Sequence, residues 1–169
     1  MDGRVIMQER IFNLFASFGL SPKAIILFLG ALPVTELRAS IPIGILLLKE
    51  SIRSTFFFSV LGNIAPIAPV YFLLKPVSKK LSKVKYMQKF FAWLFKRAKD
   101  HAEIVERYEA IGLMLFVAVP LPGTGAWTGA IIASLLRMRF MPSFIAISLG
   151  VIIAAIIVTV LTLIGKLAF

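Results

Sequence analysis

Glu36 and Arg38 are the two residues of this chain whose types and spacing are best suited to chemistry. They lie in residues 32–44 (LPVTELRASIPIG), an apolar stretch interrupted by Pro33 and Pro42. A carboxyl group at membrane depth is costly to ionise, so Glu36 is predicted to carry a proton or to bind a cation. Arg38 has a permanent charge and a fork of donors that suits a phosphate or carboxylate head group. The structural alternatives are a static ion pair between the two residues and exposure of Glu36 to interfacial water.

A second interruption lies at residues 119–129 (VPLPGTGAWTG). Its prolines and glycines should leave backbone N–H groups without helical partners, and such groups form anion-binding concavities at the start of a helix. A plain tight turn is the alternative, because proline and glycine mark turns of every kind. On the first interpretation, head-group binding is assigned to Arg38, Gly123, Thr124 and Gly125.

Other residues complete the candidate site. Possible lining residues are Ser40, Asn63, Trp127 and Thr128, and the breaks themselves are assigned to Pro33, Pro42, Gly44, Pro120 and Pro122. No set of nucleophile, base and orienting group is recognisable, so we expect no enzyme, no catalytic residue and no cofactor. The chain has no cysteine, and its one histidine, His101, has no second ligand near it in sequence, so no metal site is predicted.

The composition indicates an all-α polytopic membrane protein. Hydrophobic residues make up 59% of the 169 residues, and the mean hydropathy is +0.93. The hydrophobic share exceeds the roughly 45–50% that is usual for soluble domains. The net charge of +11 could indicate a nucleic-acid partner, but ten of the nineteen Lys and Arg residues fall in residues 75–107, beside apolar sequence. Attraction to membrane lipids explains this charge better, so no nucleic-acid partner is expected.

The pattern along the chain predicts one membrane domain, residues 1–169, built as an inverted repeat. Repeat one, 1–74, contains an amphipathic interfacial helix, a re-entrant helical hairpin at 23–49 and a transmembrane helix at 55–74. Repeat two, 75–169, contains a basic interfacial helix at 75–107, a hairpin at 110–136 and a transmembrane helix at 143–164. A broken helix at membrane depth survives only inside protein or beside water, and such breaks are typical of transport sites. Ser21 and Pro22 are predicted to start the first arm as N-cap and first helical residue.

The two motifs, LPVTELRASIPIG and VPLPGTGAWTG, resemble the family named Putative small multidrug export protein, a relative of the DedA (VTT-domain) membrane proteins. The resemblance spans nearly the whole chain and implies two opposed re-entrant hairpins. For DedA proteins it also implies transport of lipid phosphates, including undecaprenyl phosphate, and dependence on the proton motive force. Glu36 matches the hairpin glutamate of the family, Pro42 and Gly44 resemble its Pro-Gly turn, and Pro120 matches the proline of the second hairpin. DedA proteins usually carry arginines around that proline, whereas this chain has alanine, valine and glycines there.

We therefore expect a transporter of an amphiphilic substrate, a lipid phosphate, with possible coupling to protons through Glu36. One alternative is an exporter of cationic drug-like amphiphiles that bind Glu36 directly. Another is a scaffold or lipid-organising protein that does not transport and whose basic helix recruits partners. A homodimer is expected, because so few transmembrane helices enclose little protein around a polar site. The expected location is a prokaryotic cytoplasmic membrane.

Overall fold

All regular structure in the described part of the chain is helical, as the composition predicts. The computed structural model describes residues 19–81, 102–121 and 123–168, and these ranges contain no strand. The predicted N-terminal interfacial helix and most of the predicted basic helix at 75–107 lie outside them. The chain forms two compact units, residues 1–63 with 155–169 and residues 64–154.

The first unit contains four helical segments in its N-terminal part. These are α1 (Pro22–Ala31), α2 (Glu36–Pro42), a π-helical segment (Ile43–Leu47) and α3 (Ile52–Ile64). Ser21 caps α1 by accepting a hydrogen bond from the Ala24 N–H at 3.3 Å, and Pro22 is the first helical residue, so the predicted helix start is confirmed. Helix α1 packs against α2 and the π-helical segment.

The second unit is centred on a short, almost fully buried helix. Its helices are α4 (Ile67–Leu81), α5 (Ala102–Ala118), α6 (Ala126–Leu135) and the first part of α7 (Phe140–Ala168), whose residues from Ala155 onward belong to the first unit. Helix α6 packs against α4 and α5. The Ser134 hydroxyl donates to the Tyr71 carbonyl at 2.9 Å, and the Tyr71 hydroxyl donates to the Met138 carbonyl. These bonds join α4 to the C-terminal end of α6.

Two stretches of helix are long and apolar enough to cross a membrane, Ile52–Leu74 and Phe140–Leu167. Each overlaps a predicted transmembrane helix, 55–74 or 143–164, and extends beyond it. In the first stretch, helical structure is interrupted by a turn at Ala65 and Pro66. Helices α1 and α6 have ten residues each. At 1.5 Å per residue they are about 15 Å long, half of a hydrocarbon core of about 30 Å.

The order helix, break, helix, long apolar helix occurs in both halves of the chain. The described residues do not test the re-entrant course of the two hairpins or the inverted relation of the repeats, which stay predictions. The predicted repeat boundaries, 1–74 and 75–169, also stay a prediction, since the compact units divide the chain differently.

One backbone contact is nevertheless repeated in the two units. In the first unit, Gly62 of α3 lies so close to Leu27 of α1 that a Cβ on the glycine would collide with the Leu27 carbonyl oxygen. In the second unit, a Cβ on Gly150 of α7 would lie 2.6 Å from the Met114 carbonyl oxygen of α5. Leu27 and Met114 each stand six residues before the proline of a break, Pro33 or Pro120. Glycine permits this close approach of two helix backbones.

The helical segments that follow the two breaks, the π-helical segment and α6, also end in the same way. Lys49 and Arg137 adopt left-handed conformations, with φ of 53° and 56°. The next residue in each case bonds back to the preceding helical turns, from Glu50 N–H to the Gly44 carbonyl and from Met138 N–H to the Ala133 carbonyl, both at 3.0 Å. A left-handed residue that reverses the chain after the last turn is a common helix ending.

The glycine contacts predict a position-specific loss of stability. We expect Gly62→Ala and Gly150→Ala each to destabilise the folded protein by about 1–3 kcal/mol, because the added methyl group must displace a backbone carbonyl. The matched control is Gly165→Ala in α7, where a Cβ would meet no atom within 4 Å. Thermal melting of the three variants in detergent measures the difference. Equal melting temperatures for Gly62→Ala and Gly165→Ala would contradict the contact.

Candidate functional site

Glu36 lies directly after the first helix break. The Leu32 carbonyl accepts a hydrogen bond from the Glu36 N–H at 3.1 Å, and α2 begins at Glu36. The residue has φ of 47°, a left-handed conformation that is costly for a side chain larger than glycine. It is only 5% exposed. An ionisable residue that is both buried and conformationally strained is typical of functional sites.

Glu36 and Arg38 form an ion pair. The Arg38 guanidinium donates to Glu36 Oε2 at 2.9 Å. A regular helix points residues two apart in different directions, so the left-handed start of α2 is what permits their contact. The exposed fractions of the two side chains differ, 24% for Arg38 and 6% for Glu36. A molecule that approaches this pair therefore meets the guanidinium before the carboxylate.

Side chains satisfy the carbonyl groups at the end of α1. The Thr35 hydroxyl donates to the Leu29 carbonyl, and the Asn63 amide donates to the Gly30 carbonyl at 2.9 Å. Asn63, a predicted lining residue, is 1% exposed. These bonds close the C-terminal end of a short helix whose last carbonyls have no partners within the helix.

A row of buried polar residues continues from Asn63 along α3. Thr55, Ser59 and Asn63 are spaced by four residues, so they share one face of the helix, and all three are buried. Ser40 of α2, a predicted lining residue, donates to the Ser59 hydroxyl at 2.9 Å. Thr55 and Ser59 were not among the predicted site residues, although their four-residue spacing with Asn63 is visible in the sequence TFFFSVLGN.

The second break is closed on itself by Thr124. Its hydroxyl donates to the carbonyls of Val119 and Leu121 and accepts from the Leu121 N–H at 3.1 Å. Gly123 and Gly125 have φ of 110° and 152°, conformations that side-chain-bearing residues rarely adopt. These bonds fit the tight-turn interpretation, and the assignment of this loop to head-group binding stays a prediction.

The other predicted residues of the second break lie on the same loop or just after it. Pro120 is half-buried, Pro122 lies outside the described residues, and Trp127 and Thr128 form the first turn of α6. Thr128 is buried and Trp127 half-buried. These residues belong to the second unit, whereas Glu36, Arg38, Ser40, Pro33, Pro42 and Gly44 belong to the first.

The described residues contain no group of three His, Cys, Asp or Glu side chains that could hold a metal ion. His101 lies outside the described residues. The side chains at the first break can form an ion pair, bind a proton at Glu36, and donate or accept hydrogen bonds through the hydroxyl and amide groups of α2 and α3.

Removing one member of the ion pair should cost more than removing both. We expect Arg38→Gln to destabilise the protein because it removes the guanidinium that balances the charge of a buried carboxylate. Fully buried pairs lose about 3–5 kcal/mol, and the partial exposure of Arg38 should reduce this loss. The double variant Glu36→Gln/Arg38→Gln should regain part of the stability. Thermal melting of the four proteins in one detergent tests the coupling. Strictly additive effects of the two substitutions would contradict it.

Comparison with known proteins supports a membrane role for this chain. Residues 36–157, which begin at Glu36 and include the second break and most of α7, match the family described as Putative small multi-drug export protein. No curated protein and no solved structure matches the chain. The family and the two long apolar helices together indicate a membrane location. The chain belongs to the small multi-drug export protein family.

Proposed function

We propose that this protein transports an amphiphilic molecule with an anionic head group, a lipid phosphate, across the membrane, and that Glu36 couples this movement to protons. The observation that carries the proposal is the ion pair of the buried Glu36 with the half-buried Arg38 at a helix break. Charged residues inside membrane proteins mark substrate and ion pathways. The relation to DedA proteins, implied by the sequence motifs, is part of the proposal.

The difference in exposure between the two side chains suggests the order in which a substrate contacts them. A phosphate group reaches Arg38 first, because its side chain is the more exposed of the two. Guanidinium and phosphate form strong, bidentate hydrogen bonds. If phosphate takes Arg38 from Glu36, the buried carboxylate loses the guanidinium that balances its charge, and binding a proton then removes that charge. Anion binding and proton binding therefore favour each other, and by linkage each strengthens the other equally.

A second candidate is export of cationic drug-like amphiphiles, which the family description favours. Here the cation would bind Glu36 directly. This leaves the Arg38 guanidinium without its carboxylate, and arginine cannot release its charge by losing a proton. A bound cation would thus exchange for a proton at Glu36, the opposite sign of coupling from the lipid-phosphate proposal.

The proposal also includes the surroundings of the protein. We propose a homodimer in a prokaryotic cytoplasmic membrane, with lipids as partners, no cofactor and no chemical conversion of the substrate. The large number of exposed apolar side chains on α7, among them Ile145, Leu149 and Ile156, suits contact with lipid or with a second copy.

A transport assay with a matched acid control tests the function. Purified protein in proteoliposomes is given a fluorescent polyprenyl phosphate and an imposed pH gradient. We expect the wild type to move the lipid faster with the gradient than without it, and we expect Glu36→Gln to lose the gradient-dependent part because glutamine cannot exchange a proton. The control is Glu50→Gln, which removes a half-buried carboxyl group outside the ion pair. This variant should behave as the wild type.

Three results would contradict the lipid-phosphate proposal in distinct ways. Movement of cationic dyes but not of the lipid phosphate would favour the second candidate. Lipid movement that Glu36→Gln leaves unchanged would remove Glu36 from the coupling. If the wild type moves neither probe and neutralising Lys79, Lys80 and Lys83 abolishes function in cells, the scaffold alternative is favoured.

A further inference from the structure

The buried hydroxyl groups between α2 and α3 have no role in the ion pair itself. We define the hydroxyl row as Ser40, Ser59 and Thr55. All three residues are 0% exposed. Ser40 and Ser59 are joined by the 2.9 Å hydrogen bond between their hydroxyls, and Thr55 lies one helical turn before Ser59 on the same face of α3.

The Thr55 hydroxyl makes no hydrogen bond to its own helix. In α7, the hydroxyls of Ser143, Thr159 and Thr162 each donate to the carbonyl four residues earlier, at 2.7–2.8 Å. Thr55 does not form this bond, and its Oγ1 has no hydrogen-bond partner. It lies beside Gly44 of the π-helical segment, where a Cβ would stand 2.5 Å from the Thr55 methyl carbon and 2.9 Å from Oγ1. A buried hydroxyl without a partner is destabilising, so a polar ligand such as water is expected at Oγ1.

Packing alone does not require this polarity. At the matching contact in the second unit, Gly129 of α6 packs against Val117 of α5 and Ile147 of α7. Val117 and Ile147 are buried and apolar. The neighbours of this glycine in the second unit are apolar, whereas Gly44 in the first unit lies against Thr55. The second unit buries its hydroxyl groups elsewhere, on Thr128, Ser134 and Ser143.

The hydroxyl row has a buried end and an end near water. At the buried end, Glu36 begins α2 and precedes Ser40 by four residues, one helical turn. At the other end, Thr55 lies one turn after Ser51, which is exposed at the start of α3. Ser54, between them, also has a buried Oγ without a hydrogen-bond partner.

Charges mark the end near water. Lys49 and Arg53 are exposed and Glu50 is half-buried, which places the start of α3 at the membrane surface. Beyond Glu36 and its partner Arg38, the described charged side chains of the first unit are Lys23, Lys49, Glu50, Arg53 and Lys166. None of these five is buried, whereas Glu36 is 5% exposed. Along α2 and α3, the hydroxyl row stands between Glu36 and the charged residues at the start of α3.

We propose that the hydroxyl row is a proton path that connects Glu36 with the water at the start of α3. The inference rests on the proposed function, since it supplies the route for the proton that Glu36 exchanges. Each hydroxyl oxygen accepts a proton on a lone pair and releases its own proton to the next oxygen. One O–H bond forms and one breaks at each oxygen, and the net result is the movement of one proton. Water molecules bridge the one-turn steps from Thr55 to Ser59 and from Ser40 to Glu36, and the unpartnered Thr55 hydroxyl holds the first of them.

Substitutions at Thr55 test the path with a built-in structural control. Thr55→Val keeps the shape of the side chain but removes the hydroxyl, whereas Thr55→Ser keeps the hydroxyl. In the proteoliposome assay, with a pH-sensitive dye inside the vesicles, we expect Thr55→Val to slow gradient-driven proton and lipid movement about tenfold or more, and we expect Thr55→Ser to stay near the wild type. Ser148→Ala, which removes an unpartnered buried hydroxyl from the second unit, should leave both rates unchanged.

The melting temperature separates this role from a structural one. Replacing an unsatisfied hydroxyl by a methyl group should leave the stability of Thr55→Val equal to that of the wild type or higher. Slower proton movement together with unchanged stability would support the path, and equal loss in Thr55→Ser and Thr55→Val would overturn it.

Other results distinguish the path from the function on which it rests. A fully active Thr55→Val with an inactive Glu36→Gln would overturn the path and leave the proposed function standing. A wild type that responds to no pH gradient would refute both proton coupling and the path. Transport driven by a sodium gradient and lost in Thr55→Val would make the hydroxyl row a cation site, which overturns the proton path.

Discussion

Backbone polar groups at a helix break need hydrogen-bond partners, and the hydrocarbon interior of a membrane supplies none. The rest of this structure depends on that constraint. At the first break, Thr35 and Asn63 satisfy the carbonyls of Leu29 and Gly30. At the second, Thr124 serves the carbonyls of Val119 and Leu121. In both places a side chain supplies the hydrogen bond that the broken helix lacks, so the break can persist where water is excluded.

The same need explains how the helices pack. A break is protected only if neighbouring helices lie close to it, and close approach requires small residues at the contact. Gly62 lies against the carbonyl group of Leu27, and Gly150 lies against the carbonyl group of Met114. Leu27 and Met114 each stand one to two helical turns before a break. Small residues at helix contacts are the usual means of close approach in membranes, where apolar burial gives no preference for protein over lipid. The glycine contacts bring the helices together beside a break, and the side-chain hydrogen bonds satisfy the carbonyl groups at that break, so both are needed to protect it.

Much of the fold could be predicted from the sequence, because local chemistry determines it. The Ser21 and Pro22 start of α1, the two breaks and the two long apolar helices follow from residue types that act on their own neighbours. The candidate membrane helices begin at Ile52 and Phe140, three residues before the predicted starts at 55 and 143, because polar and basic residues near a helix start lower the local hydropathy. A contact between Glu36 and Arg38 was predicted as one of several possibilities, since it depends on whether the backbone leaves the helical conformation at Glu36.

What the sequence did not predict depends on pairs of distant residues. The partnership of Ser40 with Ser59 and the position of Thr55 against Gly44 require the register of α2 on α3. Serine and threonine are common in membrane helices because they can bond to their own backbone, so their presence alone predicts no contact. The π-helical segment Ile43–Leu47 follows Pro42, which lacks an N–H to continue the α-helical pattern, but proline permits several continuations.

The two units therefore share a way of packing but differ in the chemistry of their breaks. Both pack a helix that precedes a break against a long helix through a glycine. Both also bury hydroxyl groups, on Ser40, Thr55 and Ser59 in the first unit and on Thr128, Ser134 and Ser143 in the second. The first break is followed by the ion pair of Glu36 with Arg38, whereas residues 119–125 at the second break contain no charged residue. Hydroxyl groups alone therefore do not distinguish the units, and a charged pair at one break only is the pattern expected if that break binds or moves charge while the other supports the fold.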